Sequence, residues 1–157
     1  MISSLKNESR LKVNTVVPPI IAEDIDGHPV LISYGDFSVP TILYVFSPSC
    51  PWCRRNVKNI KYIASQLHEQ YHFVGLSLSK NDLKSYAKEF QYTFPLYCEP
   101  SGETKLAFKI GGTPQTVVIS AQGIVLRNWL GAYDGSIRKE IEAYFGVQLP
   151  GLQNGSW

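Results

Sequence analysis

The sequence predicts an α/β fold: a mixed β-sheet flanked by helices on both faces, with an N-terminal β-hairpin extension. Three observations predict it. The run Thr41-Ile42-Leu43-Tyr44-Val45-Phe46 is nearly all apolar, as a strand buried on both faces requires. Shortly after it the apolar positions Cys53, Val57, Ile60, Ala64, Leu67 and Tyr71 advance in steps of three and four, which marks one face of a helix. A second core strand over residues 72–79 completes a strand–helix–strand pass, and the chain closes on strand–strand–helix.

The remaining elements follow in order. Residues 1–14 form a flexible arm, residues 15–146 the domain and residues 147–157 a C-terminal tail. Residues 20–25 and 29–33 flank Asp26-Gly27, a dipeptide that supplies the positive φ angles of a tight hairpin. Pro51 fits the first turn of the long helix, where no N–H is needed. Asn81 caps a helix over residues 82–90. A short helix over residues 103–110 ends at Gly111-Gly112, Thr113-Pro114 leads into a strand over 115–120, and Ala121-Gln122-Gly123 turns into a strand over 124–130. The last helix covers residues 136–144, with Gly146 near its end.

At 157 residues the chain is long enough for one domain with a sizeable core. Its 44% hydrophobic and 18% charged residues are ordinary globular chemistry. A net charge of +2 is too small to argue for nucleic acid or an anionic membrane as partner. No apolar run is long enough to span a bilayer, and residues 1–13 lack the hydrophobic stretch of a signal peptide.

Chemistry concentrates in Cys50-Pro51-Trp52-Cys53, between the buried strand and the long helix. Two cysteines at this spacing close and reopen a small disulfide ring. A helix start carries partial positive charge and free N–H donors, so it favours a thiolate over a thiol. The thiolate is the form that attacks disulfides. A zinc site would need four ligands. Beyond this pair the chain offers only Cys98, His28, His68 and His72; His68 and His72 would lie one helical turn apart, but His72 opens the next strand, so no metal is implied. Cys98 reads as an inert residue that packs like a small hydrophobe.

A strand, Cys-x-x-Cys at a helix start and Thr113-Pro114 before a late strand pair together resemble the thioredoxin fold. Asp26-Gly27-His28-Pro29-Val30, Phe94-Pro95-Leu96-Tyr97 and Gly111-Gly112-Thr113-Pro114 make the chain similar to redoxin-type thiol–disulfide proteins of the TlpA and ResA kind, over about residues 15–146. The resemblance implies a thioredoxin-like sheet and a cis bond at Thr113-Pro114 facing the cysteines, with the Thr113 backbone open to an extended partner segment. It also implies work outside the bacterial cytoplasm, for example in cytochrome c maturation, the alternative being cytoplasmic. The chain departs from the pattern at Ser49, where the family carries tryptophan, at Trp52, where proline is common, at Tyr44, where thioredoxins keep a buried Asp, and near Lys80, where ResA-like proteins carry Glu.

The expected function is thiol–disulfide exchange with protein thiols or disulfides and with an electron-donor or acceptor protein. Cys50 is the attacking thiolate and Cys53 the more buried resolving thiol. Trp52, Thr113 and Pro114 form the substrate-binding surface, and Arg54 and Arg55 are candidate thiolate stabilisers. No metal or organic cofactor is called for. Because no acidic residue occurs over positions 37–68, the arginines and the helix start should make the couple more oxidising than thioredoxin's. Two other classes compete. A peroxiredoxin-type peroxidase carries Pro-x-x-x-Thr-x-x-Cys, and here Leu43 and Ser47 occupy the Pro and Thr positions. A non-catalytic binding module of the same fold would not need both cysteines.

Overall fold

The computed structural model describes residues 10–154. Among them the strands are β1 (Ile20–Asp24), β2 (Pro29–Ile32), β3 (Thr41–Phe46), β4 (His72–Ser77), β5 (Leu96–Cys98), β6 (Gln115–Ile119) and β7 (Val125–Leu130). The helices are α1 (Pro51–Arg55), α2 (Val57–Leu67), α3 (Leu83–Phe90), α4 (Gly102–Ala107) and α5 (Gly135–Phe145), with a short 3₁₀ turn over Tyr34–Asp36. One seven-stranded sheet runs in the order β2-β1-β5-β4-β3-β6-β7. β3, β4 and β5 are parallel to one another, and β1, β2, β6 and β7 pair antiparallel. This is the thioredoxin-like mixed sheet with its N-terminal hairpin.

All six residues of β3 are buried, because the strand is central and covered on both faces. On one face Ile42, Tyr44 and Phe46 pack with Cys53, Val57, Ile60, Leu83, Tyr86, Ile141 and Phe145 from α1, α2, α3 and α5. On the other, Leu43 and Val45 pack with Val74, Leu76, Val117 and Ile119, closed over by Phe108 beyond α4, by Tyr34 and by Leu11. Gly75 in β4 lies in a close approach. A Cβ there would stand 2.5 Å from Leu96 Cδ2 and 3.1 Å from Phe94 Cε1, so a larger residue would push these side chains back from the strand.

The structure differs from the sequence expectations at several places. Sequence analysis assigned no strand to Leu96–Cys98, yet β5 joins the hairpin to the central sheet, running parallel to β4 and antiparallel to β1. In the hairpin turn Gly27 alone carries a positive φ, +91°. Asp24 organises the rest, its Oδ1 accepting the N–H groups of Asp26 and His28. The long helix breaks at Asn56 and ends at Leu67, so Tyr71 lies beyond it. Asp82, not Asn81, precedes α3, in a left-handed conformation and without a side-chain cap bond.

Both expected terminal segments extend past the described residues, since 1–9 and 155–157 lie outside them. Their described parts pack on the domain. Leu11 is buried and its carbonyl accepts from Asn128 Nδ2, while Asn14 N–H donates to Val125 O. Leu149 is buried against α5, where its N–H donates to Glu142 Oε2. No helix among the described residues is long and apolar enough to cross a membrane.

Candidate active site

β3 ends at Phe46, and the loop Ser47-Pro48-Ser49 delivers Cys50 to the N-cap of α1. The backbone of Cys50 is extended there (φ −80°, ψ 116°), and Pro51 opens the helix as N1, where its missing N–H leaves nothing unpaired. Cys50 Sγ then takes the role a serine or aspartate oxygen plays at a helix start, accepting the N–H of Cys53 at 3.2 Å. This contact aims a backbone N–H donor at the sulfur. Across the site, Cys50 Sγ lies 3.7 Å from Thr113 O, and the Thr113-Pro114 peptide bond is cis.

Cys53, one turn into the helix, is fully buried. Loss of solvent, and next the Cys50 side chain beside it, push its thiol up to about 12, while a Ser47 backbone group and the Thr113 hydroxyl pull the other way. Thr113 therefore serves both sulfurs, its carbonyl facing Cys50 and its hydroxyl Cys53. The surroundings of Cys53 are phenolic. Tyr44, Tyr86 and Tyr92 are each held well above the usual phenol range, first by burial, and each is raised further by the charge Cys53 would carry. Phe46 stacks on both Tyr86 and Tyr92, whose hydroxyls share a 2.7 Å hydrogen bond.

Beneath the cysteines lies a buried polar network that sequence analysis missed. Asn56, at the break between α1 and α2, donates through Nδ2 to Tyr44 OH at 3.1 Å. Its Oδ1 accepts from Tyr133 N at 3.0 Å and from Asn59 Nδ2 at 3.1 Å. Tyr133 OH in turn pairs with Thr116 Oγ1 at 2.6 Å. One amide thus ties the helix that carries Cys53 to β3, to β6 and to the loop after β7. Asn56 falls three residues after Cys53 and beside Val57, on the edge of the apolar face, and is a poor residue for a helix interior. Those two facts are the signal that could have singled it out.

Neither arginine is aimed at Cys50. Arg54 lies over the rings of Tyr86 (5.6 Å) and Phe90 (5.4 Å), donates through Nε to Pro48 O and pairs with Glu89 at 3.4 Å. Arg55 lies 4.6 Å over the Trp52 ring and donates through Nε to Gln153 O. Trp52 is 49% exposed, on the surface between the two cysteines. Lys80 pairs with Glu23 at 3.6 Å. Cys98 sits apart from the pair, at the β1–β5 seam, with its Sγ toward Asp24 O at 3.6 Å. All three cysteines are free thiols.

Three comparisons with known proteins agree with this architecture. Residues 13–127 match the model of the AhpC/TSA family. A thioredoxin-like protein of Haemophilus influenzae is 28% identical over 104 residues, which cover 64% of this chain and 60% of that protein, so the match spans less than two thirds of its length. The thioredoxin domain of a thiol-disulfide oxidoreductase from Bacteroides vulgatus superposes with a TM-score of 0.69 at 18% identity, over 86% of this chain and 99% of that one. A secreted Mycobacterium tuberculosis disulfide oxidoreductase, homologous to Escherichia coli DsbE, superposes with a TM-score of 0.63 at 16% identity, over 80% and 93%.

Proposed function

We propose that this chain, which belongs to the AhpC/TSA family, exchanges disulfides with protein partners through the couple Cys50–Cys53. One observation carries the proposal: the sulfur of a half-buried cysteine at a helix start accepts the N–H of a fully buried second cysteine one turn away. With a disulfide-bearing partner, the Cys50 thiolate attacks one partner sulfur. The partner S–S bond breaks, a mixed disulfide forms and the first partner thiolate leaves. Cys53 then gives up its proton and attacks Cys50 Sγ. The Cys50–Cys53 disulfide closes, and the second partner thiolate leaves and takes up a proton. The partner is reduced by two electrons and the couple is oxidised by two. The reverse sequence oxidises a dithiol.

Thr113 and Pro114 border the sulfurs opposite α1, and Trp52 supplies an exposed aromatic surface beside them. These residues form the partner site. Work outside the cytoplasm, with cytochrome c maturation as one setting, fits the redoxin likeness and the secreted mycobacterial neighbour. The two positions that would build a peroxide pocket weigh against the peroxidase alternative. Ser47, at the position of the peroxidase threonine, has its hydroxyl 3.2 Å from Ser49 Oγ, and Leu43 lies fully buried in the sheet.

Trapping tests the assignment. Cys53→Ser accumulates mixed disulfides with insulin or cell-envelope proteins, because the resolving thiol is gone; Cys50→Ser does not. Trapping through Cys50→Ser alone reverses the two roles. Failure of the unaltered chain to exchange with dithiothreitol removes the proposal.

A further inference from the structure

The C-terminal segment after α5 is a strap whose contacts end at the redox site. Leu149 anchors it in the core, its N–H on Glu142 Oε2 and its carbonyl on Arg138 Nη2 at 2.9 Å. Gly151 N–H donates to Asn59 Oδ1 at 2.8 Å. Gln153 then makes a reciprocal pair with Arg55: its N–H donates to Arg55 O at 2.8 Å, and its carbonyl accepts from Arg55 Nε at 2.9 Å. The guanidinium held this way covers the indole of Trp52, which stays 49% exposed.

A guanidinium fixed at Nε and placed over an indole does what a lysine ammonium cannot. It presents a planar, weakly hydrated surface and keeps a directed hydrogen bond at the same time. An exposed side chain loses rotamer freedom when a partner covers it. Trp52 is backed by Arg55, and Arg55 is bound at both its backbone carbonyl and its side chain, so the indole is oriented before any partner arrives. Trp52 also lies in the same helical turn as Cys50. An extended partner segment advances roughly 3.3 Å per residue. A side chain one or two positions from its reacting cysteine therefore reaches the indole. A flat, largely apolar ring surface gains most from an aromatic or aliphatic side chain.

We infer that Arg55, held by the backbone of Gln153, is a positioning residue for Trp52, and that the strap thereby selects partner segments carrying an aromatic or aliphatic side chain beside the cysteine. The inference rests on the proposed exchange activity and on Trp52 as part of the partner site.

The test uses two short peptides that differ only in having Phe or Gly next to a single cysteine, each cysteine carrying thionitrobenzoate as a mixed disulfide. Release of the chromophore by the pre-reduced protein is followed in single turnover. The native sequence prefers the Phe peptide by about tenfold, the scale of one aromatic contact. Trp52→Ala abolishes the preference. Arg55→Lys and Gln153→Pro, which deletes the N–H given to Arg55 O, each cut it to about threefold or less. Arg55→Lys has no further effect on the preference in the Trp52→Ala background. A preference retained in both Arg55→Lys and Gln153→Pro overturns the inference. So does an equal slowing of both peptides by Arg55→Lys, which would place the guanidinium's effect on the Cys50 sulfur. Exchange of the native protein with dithiothreitol, measured alongside, separates the two levels. Its absence defeats the proposed function, whereas a native protein that exchanges normally but shows no preference for the Phe peptide defeats the strap alone.

Discussion

Cys53 and Cys98 are equally buried, and loss of solvent is the first cause that pushes each thiol up. Their settings differ in what else is within reach. Cys53 stands one helical turn from a second sulfur, among neutral phenols and the Thr113 hydroxyl. Cys98 lies at the β1–β5 seam with a carbonyl in front of it, and the carboxylates of Glu23 and Glu99 disfavour its thiolate further. Burial therefore makes a thiol quiet in both places. On the proposed function, a paired sulfur at a helix start is what makes one of them half of a redox couple.

The largest expected break in this comparison comes from removing the partner sulfur. Cys50→Ser abolishes insulin reduction and dithiothreitol exchange, leaving Cys53 as inert as Cys98. Residual turnover in that variant would show Cys53 attacking partners by itself.

Next in size is the support beneath Cys53, which Cys98 lacks. Asn56→Leu strips partners from Tyr133 N–H, Tyr44 OH and Asn59 Nδ2, all buried. Each stranded group costs roughly 1–3 kcal/mol, so the three together predict a loss of at least about 3 kcal/mol in urea unfolding. A loss below about 1 kcal/mol would show that the network is not holding the helix to the sheet.

The pH dependence of resolution sharpens the contrast. With the Cys53 thiol up at about 12, the reactive thiolate is a small fraction at neutral pH and grows with each step upward. Resolution of a preformed Cys50 mixed disulfide therefore accelerates about tenfold per pH unit between roughly pH 7 and 9. A plateau inside that window would mean that the mixed disulfide leaves Cys53 far more acidic than it is beside the free Cys50 thiol. The sign for folding runs the other way. A raised thiol stabilises the folded, reduced chain below the unfolded-state value near 9, and that contribution is lost as pH climbs toward 12.

The smallest effect belongs to Cys98→Ser. Exchange rates stay within about twofold of the native protein, and stability falls by about 1 kcal/mol as a slightly smaller, more polar atom replaces sulfur in a buried seam. A large loss of exchange would give Cys98 a role in the couple.

The same contrast explains which parts of the molecule were legible in the chain. β3, the helix start and the cysteine pair are local. An apolar run, a proline at N1 and a two-residue spacing lie within a dozen positions, and each states its structure through short-range chemistry. β5 was not legible, because three residues after a proline carry no period. Their strand character comes from β4 on one side and β1 on the other. The packed tail was hidden for the same reason: its partners Asn59, Glu142 and Arg55 are spread over α1, α2 and α5. Arg54 and Arg55 show the limit of nearness in sequence. Adjacent to the couple, they turn in different directions, one to Glu89 and the aromatic rings of α3, the other to Trp52 and Gln153. Of the features expected to favour a Cys50 thiolate, the helix start and its N–H bond are the ones directed at the sulfur.

On the proposed function, Cys50 and Cys53 form one reversible two-electron couple. Equilibration in dithiothreitol and glutathione buffers, followed by acid quenching, alkylation and mass spectrometry, tests it most directly. The expected result is a single transition that converts two alkylatable thiols, at Cys50 and Cys53, into one disulfide while Cys98 stays alkylatable throughout, with a potential between roughly −270 and −120 mV. A chain that keeps three alkylatable thiols at every poise, or whose disulfide contains Cys98, would contradict it.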